Sequence, residues 1–194
     1  MPGLLIAFEG LDQSGKQTQA ELLRDRLTGV GRLVRLLSFP AYDTPIGTEI
    51  ERALTGVRNY SPEVMQLLYI ANRYEWKPQI EHELGRGTVL LCDRYLASSV
   101  AYGEAQGLDA GWLQNIQAHL PQPDVTCLLD IAPSVSAERK TSGRDKYEQD
   151  LSLLGRVRES YLRQAHAGEW VRIDATRDRR AVAADVYAAI EPRL

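Results

Sequence analysis

The stretch FEGLDQSGKQTQ, Phe8 to Gln19, decides how this chain is read. Gly10, Leu11, Asp12, Gln13, Ser14, Gly15 and Lys16 fit the spacing G-x-x-x-x-G-K of a phosphate-binding loop. The apolar run LLIAF, residues 4–8, precedes it as a strand. Lys16 to Leu27 follows with apolar Ala20, Leu23 and Leu27, the spacing of a helix face. Glycines let the backbone bend until its amides approach phosphate oxygens, the helix N-terminus adds positive potential, and Lys16 reaches the terminal phosphoryl group. Gln17 stands where such loops carry a Ser or Thr for magnesium, and Thr18 lies about 100° further round the helix. Mg2+ is therefore expected to be held mainly by nucleotide phosphates and water, with Asp93 as the best carboxylate and Asp12 and Glu9 as secondary ones.

Outward from the loop, apolar runs alternate with helical patterns. Strands are expected at 33–39, 88–92, 125–131 and 170–174, with helices near 97–104, 109–119, 151–167 and 179–190. Ser61-Pro62-Glu63 starts another helix that should meet trouble at Pro78 before a continuation reaches Leu84. Strands apolar throughout and separated by helices imply a parallel sheet covered on both faces. The expected fold is α/β, a five-stranded parallel sheet of the P-loop NTPase type, in one domain over residues 1–194. Ligands should meet at the carboxyl ends of its strands.

With 194 residues and a net charge of −3, the chain has no global basic field for nucleic acid or anionic lipid. No apolar run approaches a membrane span and no signal-peptide pattern opens the sequence, so the cytoplasm is the expected location. Cys92 and Cys127 read as reduced core thiols.

Three further segments carry polar chemistry. In CDRYLASSVAY, residues 92–102, Asp93 and Arg94 follow a buried strand, and arginine's fork suits a phosphate. In LLYIANRYEW, residues 67–76, Tyr69 and Arg73 share a helix face, either an aromatic surface and a guanidinium for a base or a core tyrosine beside a solvated arginine. In SFPAYD, residues 38–43, Pro40 stiffens a turn between Phe39 and Tyr42. ERKTSGRDKYEQD, residues 138–150, concentrates Arg139, Lys140, Arg144 and Lys146 and reads as a mobile lid over about 139–150.

These segments together, with IDAT at 173–176, resemble thymidylate kinase over nearly the whole chain. The resemblance implies ATP-dependent phosphorylation of dTMP to dTDP with Mg2+, in an enzyme that is commonly a homodimer. It implies that Lys16 and the loop, from Gly10 to Thr18, hold ATP, with Arg139 on the adenine. Asp12 would bind the acceptor's 3′-hydroxyl. Phe39 and Pro40 would wall the thymidine pocket, Tyr42 and Arg94 would touch its phosphate, and Tyr69 and Arg73 would take the base. Ser99 would lie at the base edge, Tyr102 would disfavour ribose, and Asp93 would lie near magnesium. Some members carry an arginine after the loop aspartate; Gln13 stands there, so a lid cation should replace it, Arg144 first and Lys146 second. The sequence leaves open a kinase for another nucleotide or nucleoside, and a nucleotide-binding regulator that has lost catalysis.

Overall fold

The computed structural model describes residues 3–139 and 150–194. Its five strands are β1 (Leu4–Glu9), β2 (Val34–Ser38), β3 (Val89–Asp93), β4 (Val125–Asp130) and β5 (Val171–Asp174). They form one sheet in the order β2-β3-β1-β4-β5, and every pairing is parallel. The helices are α1 (Lys16–Gly29), α2 (Pro45–Leu54), α3 (Pro62–Gly85), α4 (Leu96–Ala105), α5 (Ala110–Asn115), α6 (Pro133–Arg139), α7 (Leu151–Ala167) and α8 (Arg179–Ile190). A 3₁₀ turn over Glu191–Arg193 follows.

β1 shows why the sheet is covered on both sides. All six of its residues are buried, and in a strand they alternate between faces. Leu4, Ile6 and Phe8 join a core with Leu23 and Leu27 of α1 and Val182 and Val186 of α8. Leu5 and Ala7 join a second core with Ile80 of α3, Leu90 and Cys92. Cys92 and Cys127 are both free and buried, and burial raises both thiols above their ordinary range. The chain leaves β1, returns to its side through β3, and then crosses to β4 on its other side. That reversal opens a crevice at the carboxyl ends of β1, β3 and β4.

The structure corrects three expectations. α3 runs unbroken through Pro78, which is exposed, so water can satisfy the carbonyl that loses its partner there. α5 ends at Asn115 and not near 119; Asp109 caps it by accepting from the Trp112 amide at 2.6 Å. α2 and α6 have no counterpart in the sequence reading, although each opens on a proline at its first position. Residues 140–149 of the expected lid lie outside the described residues.

Asp130, closing β4, accepts from Arg158 at 2.7 and 3.0 Å and from Arg172 at 2.6 Å. Burial raises its pKa, but hydrogen bonds from the two arginines outweigh burial and lower it. Asp130→Asn is expected to cost about 1–2 kcal/mol at pH 7, because its arginine partners are partly exposed and screened. That corresponds to a melting-temperature loss of about 2–8 °C. A depressed carboxylate stabilises fully above its unfolded pKa near ~3.9 and loses that effect as pH falls below it. The gap between wild type and variant should therefore narrow from pH 5 to pH 3 in thermal melts; a constant gap would mean that the charge of Asp130 is not what stabilises.

Candidate active site

The phosphate loop joins β1 to α1 at the crevice. Gly10 has φ 139°, and a Cβ there would fall 2.4 Å from the Leu129 carbonyl oxygen, so only glycine fits. Lys16, first residue of α1, is buried and donates from Nζ to the carbonyls of Gly10 at 3.2 Å and Leu11 at 2.9 Å. Burial and then the charge of Arg94 lower its pKa, against the pull of Asp93 and Asp12. Phosphate oxygens entering here would compete with two carbonyls for one ammonium. Gln17 is exposed and its amide donates to Glu21 at 2.9 Å, along the helix.

Asp93 ends β3 in the same phosphate cavity, which Lys16, Gln17, Thr18 and Arg94 also line. Its Oδ1 is buried and has no hydrogen-bond partner. An orphaned carboxylate oxygen beside a phosphate loop fits a divalent cation. Among the described residues no group of three His, Cys, Asp or Glu could hold a metal alone. Glu9 does not serve here: it is fully buried, with Oε1 accepting from the Tyr95 amide at 2.8 Å and Oε2 from Ser98 at 2.7 Å and Tyr161 at 3.2 Å.

Arg94 follows in a left-handed conformation, φ 64°, with its amide bound to the Phe8 carbonyl at 2.9 Å. Its Nη1 donates to Gly10, Ser98 and Tyr161, and its Nη2 to Asp12 at 2.7 Å and Tyr102 at 3.3 Å. Tyr102 also donates to Asp12 at 3.2 Å. Burial alone would raise the Asp12 pKa; Arg94 and Lys16 reverse this and hold its carboxyl well below the usual range. Asp12, Arg94 and Tyr102 thus close a hydrogen-bonded triangle.

Beyond the triangle lies a second cleft, with a cavity volume of about 140 Å³. Asp12, Phe39, Pro40, Tyr42, Tyr69, Arg73, Arg94, Ser99 and Tyr102 all line it. Five of these, Asp12, Phe39, Pro40, Tyr42 and Arg94, line the phosphate cavity too, so the cavities adjoin. Arg73, read from sequence as either a base ligand or a solvated residue, is buried; it donates to Ser99 Oγ at 2.7 Å and lies 5.9 Å from the Phe39 ring.

Sequence reasoning missed the supports. Asn72 is buried, accepts from the Ala41 amide at 2.7 Å and donates to Ala41 O at 3.1 Å and Thr44 Oγ1 at 2.9 Å, fixing the Phe39–Tyr42 turn to α3. Gly47 of α2 meets that turn so closely that a Cβ would fall 1.9 Å from Ala41 O. Leu54, Gln66 and Ser98 also line the second cleft. Arg139, ending α6, bridges the Gln13 carbonyl at 3.0 Å and the Ala175 carbonyl at 2.9 Å, between the phosphate loop and the turn after β5. Arg144 and Lys146 lie outside the described residues.

The chain is similar to known proteins over most of its length. A family model described as thymidylate kinase matches residues 8–186. A thymidylate kinase of Plasmodium falciparum is 38% identical over 176 residues, spanning 90% of this chain and 83% of that one. The Homo sapiens thymidylate kinase is 32% identical over 199 residues, spanning 99% and 92%. A solved thymidylate kinase structure from Candida albicans superposes with a TM-score of 0.85 at 30% identity, covering 99% of this chain and 92% of its own.

Proposed function

This chain belongs to the thymidylate kinase family, and from that premise we propose that it transfers the terminal phosphoryl group of ATP to dTMP, giving dTDP and ADP. The observation that carries the reading is the pair of adjoining cavities that share Arg94 and Asp12. One has the loop that grips a nucleoside triphosphate tail, and the other has an aromatic and guanidinium lining suited to a pyrimidine.

A phosphomonoester has its second pKa near ~6 and is mostly dianionic at neutral pH. The acceptor oxygen therefore needs no general base. The barrier lies in bringing two anions together and in charge redistribution in a loose, in-line transition state. Lys16 would hold the donor's terminal oxygens and Arg94 the acceptor phosphate, each at the shared boundary. Tyr42 would touch the same phosphate, and Asp12 would take the sugar 3′-hydroxyl. Tyr69, Phe39 and Pro40 would enclose the base, with Arg73 donating to a ring carbonyl and Ser99 holding Arg73 in place. Tyr102 would crowd the 2′ position. Asp93 would hold Mg2+ together with phosphate oxygens and water. The metal, when bound, supplies positive charge across the donor phosphates.

Initial rates with ATP and Mg2+ against dTMP, dUMP, dCMP, AMP and thymidine test this reading. The highest kcat/KM is expected with dTMP; a tenfold preference for any other acceptor would replace it. The position after Asp12 carries neutral Gln13, so we assign the missing charge to Arg144. Arg144→Ala is expected to lower kcat by about 10³-fold while nucleotide binding changes far less. A loss of only a few-fold would move the role elsewhere.

The protein would work in the cytoplasm, where its two buried free thiols stay reduced. Among the described residues no helix is long and apolar enough to cross a membrane. A homodimer is the assembly we propose, and Val64 and Leu67, exposed on α3, offer apolar area for it.

A further inference from the structure

The acceptor cleft contains a polar side chain that no motif singled out. Gln66 lies on α3, three residues before Tyr69 and seven before Arg73, so the three share one helix face. It is 1% exposed, and its Cγ packs against α4, 3.3 Å from where a Cβ on Gly103 would fall. It lines the same cleft as Tyr69, Arg73, Ser99 and Tyr102. Yet both Oε1 and Nε2 of its amide lack a hydrogen-bond partner. Among the described residues lining this cleft, the other buried unpaired atom is Nε of Arg73.

Native proteins leave few such atoms unpaired, because each keeps the full cost of losing water with no hydrogen bond in return. A primary amide places an acceptor beside donors, the complement of an imide edge. Arginine donates only, so Arg73 can take a carbonyl but cannot face an amino group. Gln66 alone could turn its amide to suit either a thymine or a cytosine edge; beside Arg73 only the imide satisfies both residues. We propose that Gln66 is a specificity-determining residue for the acceptor, its amide pairing with N3–H and the C2 carbonyl of thymine while Arg73 takes the C4 carbonyl. This rests on the reading that the cleft takes dTMP.

The test compares wild type and Gln66→Met, near-isosteric and apolar, on dTMP and on 3-methyl-dTMP, which has no N3–H. With dTMP, KM is expected to rise about tenfold while kcat stays within about twofold, the effect of losing a buried neutral hydrogen-bonded pair. With 3-methyl-dTMP, a poor wild-type substrate, the substitution should change KM by less than about twofold, since the lost partner was already blocked. An equal KM increase on both substrates, or none on dTMP, makes Gln66 a space-filling residue and overturns the proposal. If Gln66→Met does not fold, as judged by its thermal melt, Gln66→Leu is read the same way. A wild type that uses 3-methyl-dTMP as well as dTMP also overturns it. A wild type active only on another acceptor overturns the functional reading itself, and this proposal with it.

Discussion

Lys16→Ala is expected to lower kcat by about 10⁴-fold, within the range for a single cation acting on a transferred phosphoryl group. Lys16 is buried, and its ammonium is held by the Gly10 and Leu11 carbonyls at 3.2 and 2.9 Å. Removing it does more than delete a favourable contact. It leaves two carbonyl oxygens facing phosphate oxygens in a low-dielectric cleft, where repulsion is strong. Folding should be little affected, because the side chain holds no other element in place. The decisive pair of measurements is steady-state turnover and the melting temperature. A loss below about 10²-fold with an unchanged melting temperature would shift the main catalytic charge away from the loop.

Arg94→Ala should lower kcat/KM by about 10³–10⁴-fold and also destabilise the fold, a combination that separates it from Lys16. The guanidinium joins Gly10, Asp12, Ser98, Tyr102 and Tyr161, which belong to the phosphate loop, α4 and α7. Its side chain is 14% exposed and that of Asp12 29%, so truncation strands a largely covered carboxylate. Breaking such a pair costs about 3 kcal/mol, or about 6–12 °C in melting temperature. Arg94→Lys should recover part of the stability but little of the rate, since a point charge cannot reproduce the fork. Recovery of kcat/KM to within about threefold by lysine would show that the fork geometry is not needed.

The features that sequence displayed were local. The strand, loop and helix around Gly10–Lys16 follow from consecutive residue types, and the parallel sheet follows from apolar runs at regular intervals. Pro78 misled because one residue's conformational preference was weighed against a 24-residue helix that packs elsewhere along its length. α2 escaped because its buried face is short: Gly47, Ile50 and Ala53. The supports of the site were hidden for a different reason. Glu9 finds its partners 86, 89 and 152 residues away, and Asn72 reaches back 31 residues to Ala41. Neither carries a local pattern; only the topology brings them together. Gln66 left no trace because a glutamine in a helix is ordinary until both ends of its amide prove to be buried.

The triangle of Asp12, Arg94 and Tyr102 has a consequence for anyone redesigning the enzyme. The hydroxyl that would police the sugar is bonded to the same carboxylate that steadies the guanidinium proposed to grip the phosphate. With those proposed roles, tolerance for ribonucleotides and speed on the natural acceptor would not be tuned on separate dials. A Tyr102 variant admitting a bulkier sugar would also remove the donor to one oxygen of Asp12 while the Arg94 bond at 2.7 Å remains, so a redesign should treat both positions together.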